Sequence, residues 1–392
     1  MTNQGGSVEG LRERVQAVVP LVAALAADAE QQRKPADEVI EALRGTGIFR
    51  AFVPARYGGY EIDLDLFFDL GLDVATACPS TGWITTFYME HNWLLGMFGE
   101  QLQDEVFGAQ PFVLAPGSVN PAGEAIRVDD HVELTGHWQF GTGIVHADWV
   151  LLSGRIVTDE PAIPRMFLVP VDAVEVKDTW HVDGMAATGS RDIVATSIEV
   201  PLHRISNTPP PTWALAADEP YLRRIPMMPM LALTAAIPAV GCARRSVELF
   251  RDRMTERVMF GTGKSQASFS TARIRLANVT VQAATIESTM RSMATRMTAH
   301  ARGEIQLSML EHLEMRLAIA QLVRACRDVV RDVMEASGAR AHFLDNELQR
   351  IHRDVHMIGA HTVFDLELAA AEVGKLILAE ATPAVPAGAT AP

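Results

Sequence analysis

The pattern of hydrophobic positions divides the chain into three segments with different periods. Residues 8–111 carry apolar side chains at helical spacing, for example at Val18 and Leu21, and are predicted to form a helical domain. Residues 112–210 change to short alternating runs separated by Gly, Pro and Asp, which predicts an antiparallel β-domain. Residues 225–380 return to long helical periods, which predict a second helical domain.

Turn and cap residues refine the prediction for the first segment. The run from Pro54 to Gly59 is turn-like and interrupts the helical pattern. Further along, Ser80 and Thr81 follow a proline and precede an apolar run, so one of them is the expected N-cap of a new helix.

Two long helices dominate the prediction for the last segment. Helical spacing extends over residues 273–300 and 311–336, and Gly338 follows the second run as a stop signal. The Pro- and Ala-rich residues 381–392 are expected to form a disordered tail. Helical segments on both sides of a β-domain are an unusual order, which narrows the possible folds.

The composition is that of a globular protein with an acidic balance. The 392 residues include 48 Asp or Glu and 34 Lys or Arg, which gives a net charge of −14. A chain of this length can bury a large core. Nucleic acid is not an expected partner, because phosphate binding needs a basic surface.

Cysteine spacing and hydropathy indicate a cytoplasmic protein without a membrane segment. Cys78, Cys242 and Cys326 are far apart and odd in number, so we expect buried, reduced thiols. The longest apolar stretch, residues 227–243, contains prolines and a glycine and lies between arginine pairs. A membrane span needs about 20 uninterrupted apolar residues, so a buried helix is expected instead. The polar N-terminus does not resemble a signal peptide.

Two short patterns imitate ligand sites without completing them. The run Gly261-Thr-Gly-Lys-Ser265 resembles part of a phosphate loop, but the full pattern needs a glycine where this chain has Val258. His352 and His356 share a helix face, whereas His361 would lie about 140° further round the same helix, so no metal site is expected. The GxGxxG fingerprint of nicotinamide binding is also missing.

Four motifs in order carry a resemblance to a known family over residues 10–380. The chain resembles the acyl-CoA dehydrogenase superfamily, whose fold would be α+β: an N-terminal helical domain, a middle antiparallel β-domain and a C-terminal four-helix bundle. The motifs similar to that family's are Val53-Pro-Ala-Arg-Tyr-Gly-Gly59, Gly136-His-Trp-Gln-Phe-Gly-Thr-Gly143, Gly184-Met-Ala-Ala-Thr-Gly-Ser190 and Glu256-Arg-Val-Met-Phe-Gly261.

Further segments are similar to the flavin monooxygenase branch of this superfamily. One is Ser80-Thr-Gly-Trp83 followed by His91-Asn-Trp93; the other is Leu348-Gln-Arg-Ile-His-Arg-Asp354, followed by His361. The hydroxylases of phenols and steroid-derived catechols have Trp at the position of His352. The dehydrogenases instead carry a catalytic Glu in a segment like IYEGT. The matching stretch here, Ile358-Gly-Ala-His-Thr362, has no carboxylate to remove a substrate proton.

The resemblance therefore implies the oxygenase component of a two-component flavin-dependent monooxygenase. Such an enzyme takes reduced FAD or FMN from a separate NAD(P)H:flavin reductase and forms a C4a-hydroperoxide with O2. It then hydroxylates a phenolic, indolic or polycyclic aromatic substrate, and the family likeness implies a homotetramer. The alternatives are an N-oxygenase of an amino sugar, an S-oxygenase of a heteroaromatic compound, an acyl-CoA dehydrogenase and a non-catalytic binding protein of the same fold.

The resemblance also assigns roles to individual residues. His361 is the predicted acid/base that takes a phenolic proton, and His91 is a second catalytic candidate that also binds the substrate. Arg257 would hold the phosphates of a flavin bound to a neighbouring subunit, and residues 208–222 are expected to supply pocket loops. The other predicted cofactor residues are Trp138, Phe140, Thr142, Gly143, Ser190 and Phe260, and the other predicted substrate residues are Trp83 and Trp93.

Overall fold

A computed structural model describes residues 8–159, 162–207 and 218–381. Within these ranges the elements follow the predicted order of helices, strands and helices. Most of the predicted pocket loop, residues 208–217, lies outside the described residues. The predicted disordered tail does so as well, except for Ala381, the last residue of the final helix.

The first helical segment contains five α-helices and a turn. The predicted turn after Pro54 is observed as a 3-10 turn over Ala55–Tyr57. The N-cap of the fourth helix is Cys78, so the prediction of Ser80 or Thr81 was wrong by two to three residues. The helix begins two to three residues earlier, with a proline at its first position. Proline is well tolerated there, because an N–H at that position would have no partner within the helix. The helices are α1 (Leu11–Gln32), α2 (Asp37–Thr46), α3 (Leu64–Ala77), α4 (Pro79–Leu95) and α5 (Glu100–Phe107).

The second helical segment contains the two long helices that the sequence predicts, α8 and α9. Ser308 and Glu311 form a capping box at the start of α9, and Gly338, with a φ of 70°, follows its last residue. The helices are α6 (Tyr221–Arg224), α7 (Met227–Glu256), α8 (Ser270–Ala301), α9 (Met309–Ser337), α10 (Glu347–Ile358) and α11 (Leu366–Ala381).

Helix α7 lies at the centre of the helical core. It packs against α3 and α4 on one side and against α8, α9 and α10 on the other. Among the described helices, α7 alone combines the length and the mean hydropathy, 1.4, of a membrane span. However, 78% of its apolar 18-residue stretch is buried inside the protein. Most buried residues of both helical segments, including those of α7, form one continuous hydrophobic cluster, so α7 is a core helix.

Six strands form one twisted sheet in the order β4-β3-β1-β2-β6-β5. One face of the sheet packs around its own core, which includes Trp138, and the other contacts α5 and the residues that follow it. The strands are β1 (Gly117–Val128), β2 (His131–Gly141), β3 (Trp149–Ile156), β4 (Pro164–Pro170), β5 (Glu175–Lys177) and β6 (Arg191–Pro201).

The sheet is mixed, which corrects the prediction of a wholly antiparallel domain. Strands β1 and β3 pair in parallel, while the other pairings among the described strands are antiparallel. The reason is the connection after β2, which passes β1 and places β3 on its far side. Because β2 runs antiparallel to β1, a strand that returns from β2 across β1 must run parallel to β1. The predicted domain boundaries at 8–111, 112–210 and 225–380 stay a prediction.

Candidate active site

One face of α4 carries a row of rings. Trp83, Phe87 and His91 are spaced by four residues, so they lie on the same side of the helix. The ring centroids of Trp83 and Phe87 are 4.7 Å apart, and those of Phe87 and His91 are 5.5 Å apart. Most residues of α4 are buried, so protein encloses this face. Flat apolar molecules stack favourably on aromatic rings of this kind.

His361 joins this row from the other end of the chain. It lies in the turn between α10 and α11, with its ring centroid 5.4 Å from that of Trp83, edge-on, and 6.4 Å from that of Phe87. The ring of Phe364 lies 6.2 Å from that of His361. We call Trp83, Phe87, His91, His361 and Phe364 the aromatic pocket. Both predicted catalytic histidines therefore border the same pocket.

The two histidines are neutral near pH 7 and present opposite tautomers. His91 is only 3% exposed, and its Nδ1 lies 2.7 Å from the carbonyl oxygen of Ala115. A carbonyl oxygen can only accept, so Nδ1 carries the proton and Nε2 is free to accept. Burial lowers the pKa of His91 to about 4. At neutral pH His91 is therefore a hydrogen-bond acceptor at Nε2.

His361 has the other tautomer. Its Nδ1 accepts a hydrogen bond of 3.3 Å from the backbone N–H of Val363, which assigns the proton of the neutral ring to Nε2. Burial lowers the pKa of His361 to about 4 as well. Near pH 7 the free nitrogen of His361 is therefore a hydrogen-bond donor, and its role as the acid/base stays a prediction.

A chain of hydroxyl groups links the aromatic pocket to the sheet. Trp83 donates from Nε1 to Oγ1 of Thr142 over 3.3 Å, and this oxygen lies 3.2 Å from Oγ of Ser190. Ser190 Oγ is 2.8 Å from Oγ1 of Thr188, which donates to the carbonyl oxygen of Met185. Because Thr188 has given away its only proton, Ser190 donates to Thr188 and Thr142 donates to Ser190. The predicted flavin-facing hydroxyls thus form one directed chain beside the pocket.

Gly143 holds the end of β2 against α4. Its φ is 76°, a left-handed conformation that favours glycine. Its N–H donates to the carbonyl oxygen of Thr188, and its own carbonyl oxygen accepts a 2.5 Å hydrogen bond from Tyr88. A Cβ at this position would lie 2.5 Å from the Tyr88 hydroxyl oxygen. The backbone of Gly143 is therefore fixed next to Thr142.

The turn that carries Ser190 is anchored to α10. Asp354 is 3% exposed and accepts a 2.5 Å hydrogen bond from the backbone N–H of Met185. Burial raises the pKa of Asp354 to about 6, although the Met185 N–H opposes this shift. A Cβ on Gly184 would meet the carbonyl carbon and oxygen of Arg353. The turn and α10 are thus held in direct backbone contact.

Comparisons with known proteins identify the family of this chain. Residues 233–366 match the family model described as the acyl-CoA dehydrogenase C-terminal domain. A pigment production hydroxylase of Rhodococcus sp. (strain ATCC 21145) is 32% identical over 376 residues, which cover 94% of this chain and 96% of the relative. The oxygenase subunit HsaA, a flavin-dependent monooxygenase of Rhodococcus jostii (strain RHA1), is 29% identical, with 91% and 95% covered. The chain belongs to the flavin-dependent monooxygenases of the acyl-CoA dehydrogenase superfamily.

A solved structure extends the likeness to the whole monooxygenase fold. XiaF from Streptomyces sp., in complex with FADH2 and glycerol, superposes with a TM-score of 0.89 at 27% identity and covers 96% of this chain and 97% of its own. The predicted superfamily, fold class and activity as a flavin-dependent oxygenase component are confirmed.

The residues of this monooxygenase fit a flavin at the end of β2. Thr142 is half-buried and offers a hydroxyl beside the aromatic pocket. Phe140, two residues earlier, is 41% exposed, and its ring lies 4.9 Å from that of Trp180. Together with the buried Ser190 they supply a flat apolar surface and hydroxyl partners for the polar edge of a flavin ring. This donor set suits the ring of the cofactor.

Two predicted site residues belong to the hydrophobic core of the monooxygenase instead. Trp138 is fully buried within the sheet core and donates to the carbonyl oxygen of Ser153. Trp93 is fully buried in the helical core and donates to the carbonyl oxygen of Leu222. Trp93 is two residues after His91, which turns it to the opposite side of α4. Neither tryptophan borders the aromatic pocket, so both assignments are corrected.

The predicted phosphate-binding segment lies away from the pocket. Arg257 follows α7, and its guanidinium donates to the carbonyl oxygen of Ala336 over 2.9 Å and to Gln266. Phe260 is fully exposed. Neither residue contacts the aromatic pocket within the described chain. Their place at the flavin of a neighbouring subunit stays a prediction.

Some residues of the site were missed by sequence reasoning. Phe87 was given no role, although its four-residue spacing from Trp83 was an available signal. Phe364 and Tyr88 carry no motif of their own. Asp354 closes a family-like segment, which could have pointed to it. Glu90, next to His91, was overlooked because a single acidic residue in a helix is usually solvated.

A separate cavity lies between α1, α3 and α7. Its volume is about 630 Å³, and its walls include Asp73 and Glu248. Arg245 and Glu347, also in its lining, pair with each other at 2.9 Å. This charged, self-paired lining suits neither an aromatic substrate nor a flavin ring. Among the described residues, no group of three His, Cys, Asp or Glu side chains is arranged to bind a metal ion.

Proposed function

We propose that this monooxygenase hydroxylates an aromatic compound that already carries a ring hydroxyl group. The observation that carries the proposal is the aromatic pocket, in which apolar rings lie between two neutral histidines. Near pH 7, His91 offers an acceptor and His361 offers a donor. A phenolic hydroxyl both donates and accepts, so it can pair with either nitrogen. The rings supply the apolar contact for the rest of the substrate.

The proposed cofactor is reduced FAD. Its support is the likeness to XiaF, whose structure holds FADH2, together with the hydroxyls of Thr142 and Ser190 beside the pocket. Bound reduced flavin supplies, with O2, the electrophilic oxygen that is transferred to the substrate. Thr142 and Ser190 orient the ring through hydrogen bonds. Trp83 and Phe87 exclude water from the place where the oxygen is transferred.

The structure offers less to the competing reactions. An acyl-CoA dehydrogenase needs a carboxylate base, but His361 stands in the segment where that residue would lie. An amino sugar would leave its many hydroxyl groups against the rings of Trp83 and Phe87. A heteroaromatic sulfur compound would pack against the rings. It would leave the nitrogens of both histidines without a partner, which costs affinity in a buried site.

The test of the proposed function is the source of reducing equivalents. The purified chain with NADH or NADPH and O2 should oxidise neither nucleotide and form no product. Addition of a flavin reductase, or of chemically reduced FAD, should start hydroxylation of simple phenols, measured by chromatography of the product. A comparison of the product yield with FADH2 and with FMNH2 at equal concentration identifies the preferred cofactor. Rapid NADH oxidation by the chain alone, or no phenol product with reduced flavin, would refute the proposal.

The proposed assembly is a homotetramer in the cytoplasm. Apolar side chains lie exposed on the C-terminal helical segment: Val258 is 62%, Ile274 60% and Val281 65% exposed. Together with the fully exposed Phe260 they form a surface that a second copy of the chain would cover. The cytoplasm fits the three cysteines, which are free and buried.

Replacing Arg257 with alanine is expected to weaken flavin binding across this interface. Loss of a charge-assisted contact to phosphate costs on the order of 1.5–3 kcal/mol, or roughly 10- to 150-fold in Kd. Arg257 also donates to Ala336 at the end of α9, so the fold should lose about 1 kcal/mol as well. Fluorescence titration with reduced FAD and sedimentation measure affinity and assembly.

The matched control is Arg253→Ala. Arg253 donates from Nε to the carbonyl oxygen of Ser337, the neighbouring backbone position at the end of α9. This variant should lose similar stability but retain flavin affinity. A monomeric protein that binds flavin equally well with and without Arg257 would contradict the interface proposal.

A further inference from the structure

A buried carboxyl group lies directly behind the aromatic pocket. Glu90, the residue before His91 on α4, is fully buried. Neither of its carboxyl oxygens has a hydrogen-bond partner in the described protein. Burying a polar group without a partner costs free energy, so a buried carboxyl in this state calls for an explanation. The pocket residues described above do not use it.

The side chain next to the carboxyl group of Glu90 is that of His91. Oε2 of Glu90 lies 3.7 Å from Nε2 of His91, the nitrogen that the Ala115 contact leaves without a proton. This distance is slightly longer than a hydrogen bond, and a small side-chain rotation closes it. If Glu90 carries a proton, its hydroxyl therefore faces a free acceptor.

Within the described chain, no charged group on the helices packed around Glu90 shifts its pKa. A Cβ on Gly71 of α3 would touch both Thr86 of α4 and Ile237 of α7, which places these three helices side by side. Glu90 is one helical turn after Thr86, and Thr234 is one turn before Ile237. Thr234 is uncharged, fully buried and likewise without a partner for its hydroxyl.

The titratable side chain next to this carboxyl is that of His91, and the other pocket histidine, His361, lies by the ring of Phe87. Burial is the only cause that shifts the pKa of Glu90, which it raises to about 8. Glu90 therefore holds a proton at neutral pH. The histidines, with pKa values lowered to about 4, carry no acidic proton there.

We propose that Glu90 stores the proton that the hydroxylation needs and passes it to the pocket through Nε2 of His91. Glu90 is then a positioning residue, because it acts on the substrate only through His91. The assignment rests on the 3.7 Å separation, the complete burial and the unpartnered oxygens. It builds on the proposed function, since it concerns the same pocket.

The proton balance closes within one reaction. The oxygen atom that is not transferred to the substrate needs a proton: the Glu90 carboxyl would give its proton to Nε2 of His91, and the imidazolium so formed would release it to that oxygen. The oxygen transferred to the substrate forms a new C–O bond. The same ring carbon then loses its hydrogen as a proton when aromaticity is restored. That proton returns through Nε2 to the Glu90 carboxylate, so no outside acid is consumed.

The decisive variant is Glu90→Gln, which keeps the shape but has no acidic proton. We expect flavin affinity and KM within about threefold of wild type, and kcat for hydroxylation lower by roughly 10²-fold. In the wild-type protein kcat should fall above about pH 8 as Glu90 loses its proton, and this limb should be absent in the variant. Glu90→Asp keeps an acid one methylene further away and should restore part of the rate.

A double-mutant cycle separates a relay from a packing effect. His91→Asn retains a donor towards Ala115 but removes the acceptor that faces Glu90. If the two residues act in series, the double variant should be no slower than the slower single variant. Thr234→Val, a buried neighbour outside the relay, should leave kcat and the pH profile unchanged. Wild-type kcat in Glu90→Gln, multiplied losses in the double variant, or equal losses in Thr234→Val would overturn the proposal.

A measurement on the resting protein keeps this test independent of the substrate. Difference infrared spectroscopy of the flavin-loaded enzyme should show the carbonyl band of a protonated carboxylic acid at pH 7, lost above about pH 8 and absent in Glu90→Gln. If Glu90→Gln does not fold, the infrared band of the wild-type protein and the activity of Glu90→Asp test the role of Glu90 instead. The band without any phenol hydroxylation would refute the proposed function alone; hydroxylation without the band would refute the role of Glu90 alone.

Discussion

Replacing His361 with alanine is expected to lower hydroxylation by roughly 10²–10³-fold, the usual cost of removing one donor aimed at developing charge. The donor is Nε2–H, because Nδ1 already accepts from Val363. Flavin binding should survive, since Thr142 and Ser190 are unaffected. Without the donor, activated oxygen is lost as H2O2, so O2 consumption should uncouple from product. The ratio of H2O2 to product, measured in one assay, checks this.

Two further variants decide how His361 acts. His361→Gln can still place an N–H near the position of Nε2, so it should retain clearly more activity than alanine if His361 is a donor. If His361 instead takes a proton, glutamine should be as inactive as alanine. His356→Ala, at an exposed position on α10, should behave like wild type. Wild-type hydroxylation by His361→Ala would mean that this histidine is structural.

Replacing Gly143 with alanine should both destabilise the protein and abolish flavin binding. A φ of 76° costs an alanine roughly 1–2 kcal/mol. Its methyl group would also lie 2.5 Å from the Tyr88 hydroxyl oxygen, a clash that typically adds about 1–3 kcal/mol. The free energy of unfolding should therefore fall by on the order of 3 kcal/mol. The end of β2 would move and take Thr142 out of the hydroxyl chain.

Denaturant unfolding and flavin titration measure these two effects. The matched control is Gly45→Ala on α2, where a Cβ meets nothing within 4 Å, so the helix should become slightly more stable. Tyr88→Phe removes the atom in closest contact and should rescue part of the loss when combined with Gly143→Ala. Normal stability and flavin binding in Gly143→Ala would show that the backbone at this position is not needed.

Local signals predicted the individual elements well. The spacing of hydrophobic residues over 273–300 and 311–336 predicted α8 and α9, because helical periodicity is a property of neighbouring residues. The spacing of Trp83 and His91 on one helix face was readable for the same reason. The missing carboxylate near His361 already argued against a dehydrogenase. These inferences needed only residues within a few turns of each other.

The assignments that failed depended on packing. Trp138 and Trp93 lie in family-like motifs, yet both rings are buried in hydrophobic cores away from the pocket. An aromatic residue can serve a core or a ligand equally well, and its immediate neighbours in sequence do not distinguish the two. The parallel pairing of β1 and β3 was missed because strand order depends on the path of a connection, not on alternation of side chains.

The sequence by itself determined the family, the order of helices and sheet, and the residue types available for flavin chemistry. Only the tertiary structure decided which of them meet. His361 reaches Trp83 because α10 and α4 pack together, and the tautomers of His361 and His91 follow from backbone contacts with Val363 and Ala115. The protonation of Glu90 is likewise a result of burial, which depends on every element packed around it. The pKa of a buried group depends on its folded environment, so it could not be predicted from a linear sequence motif.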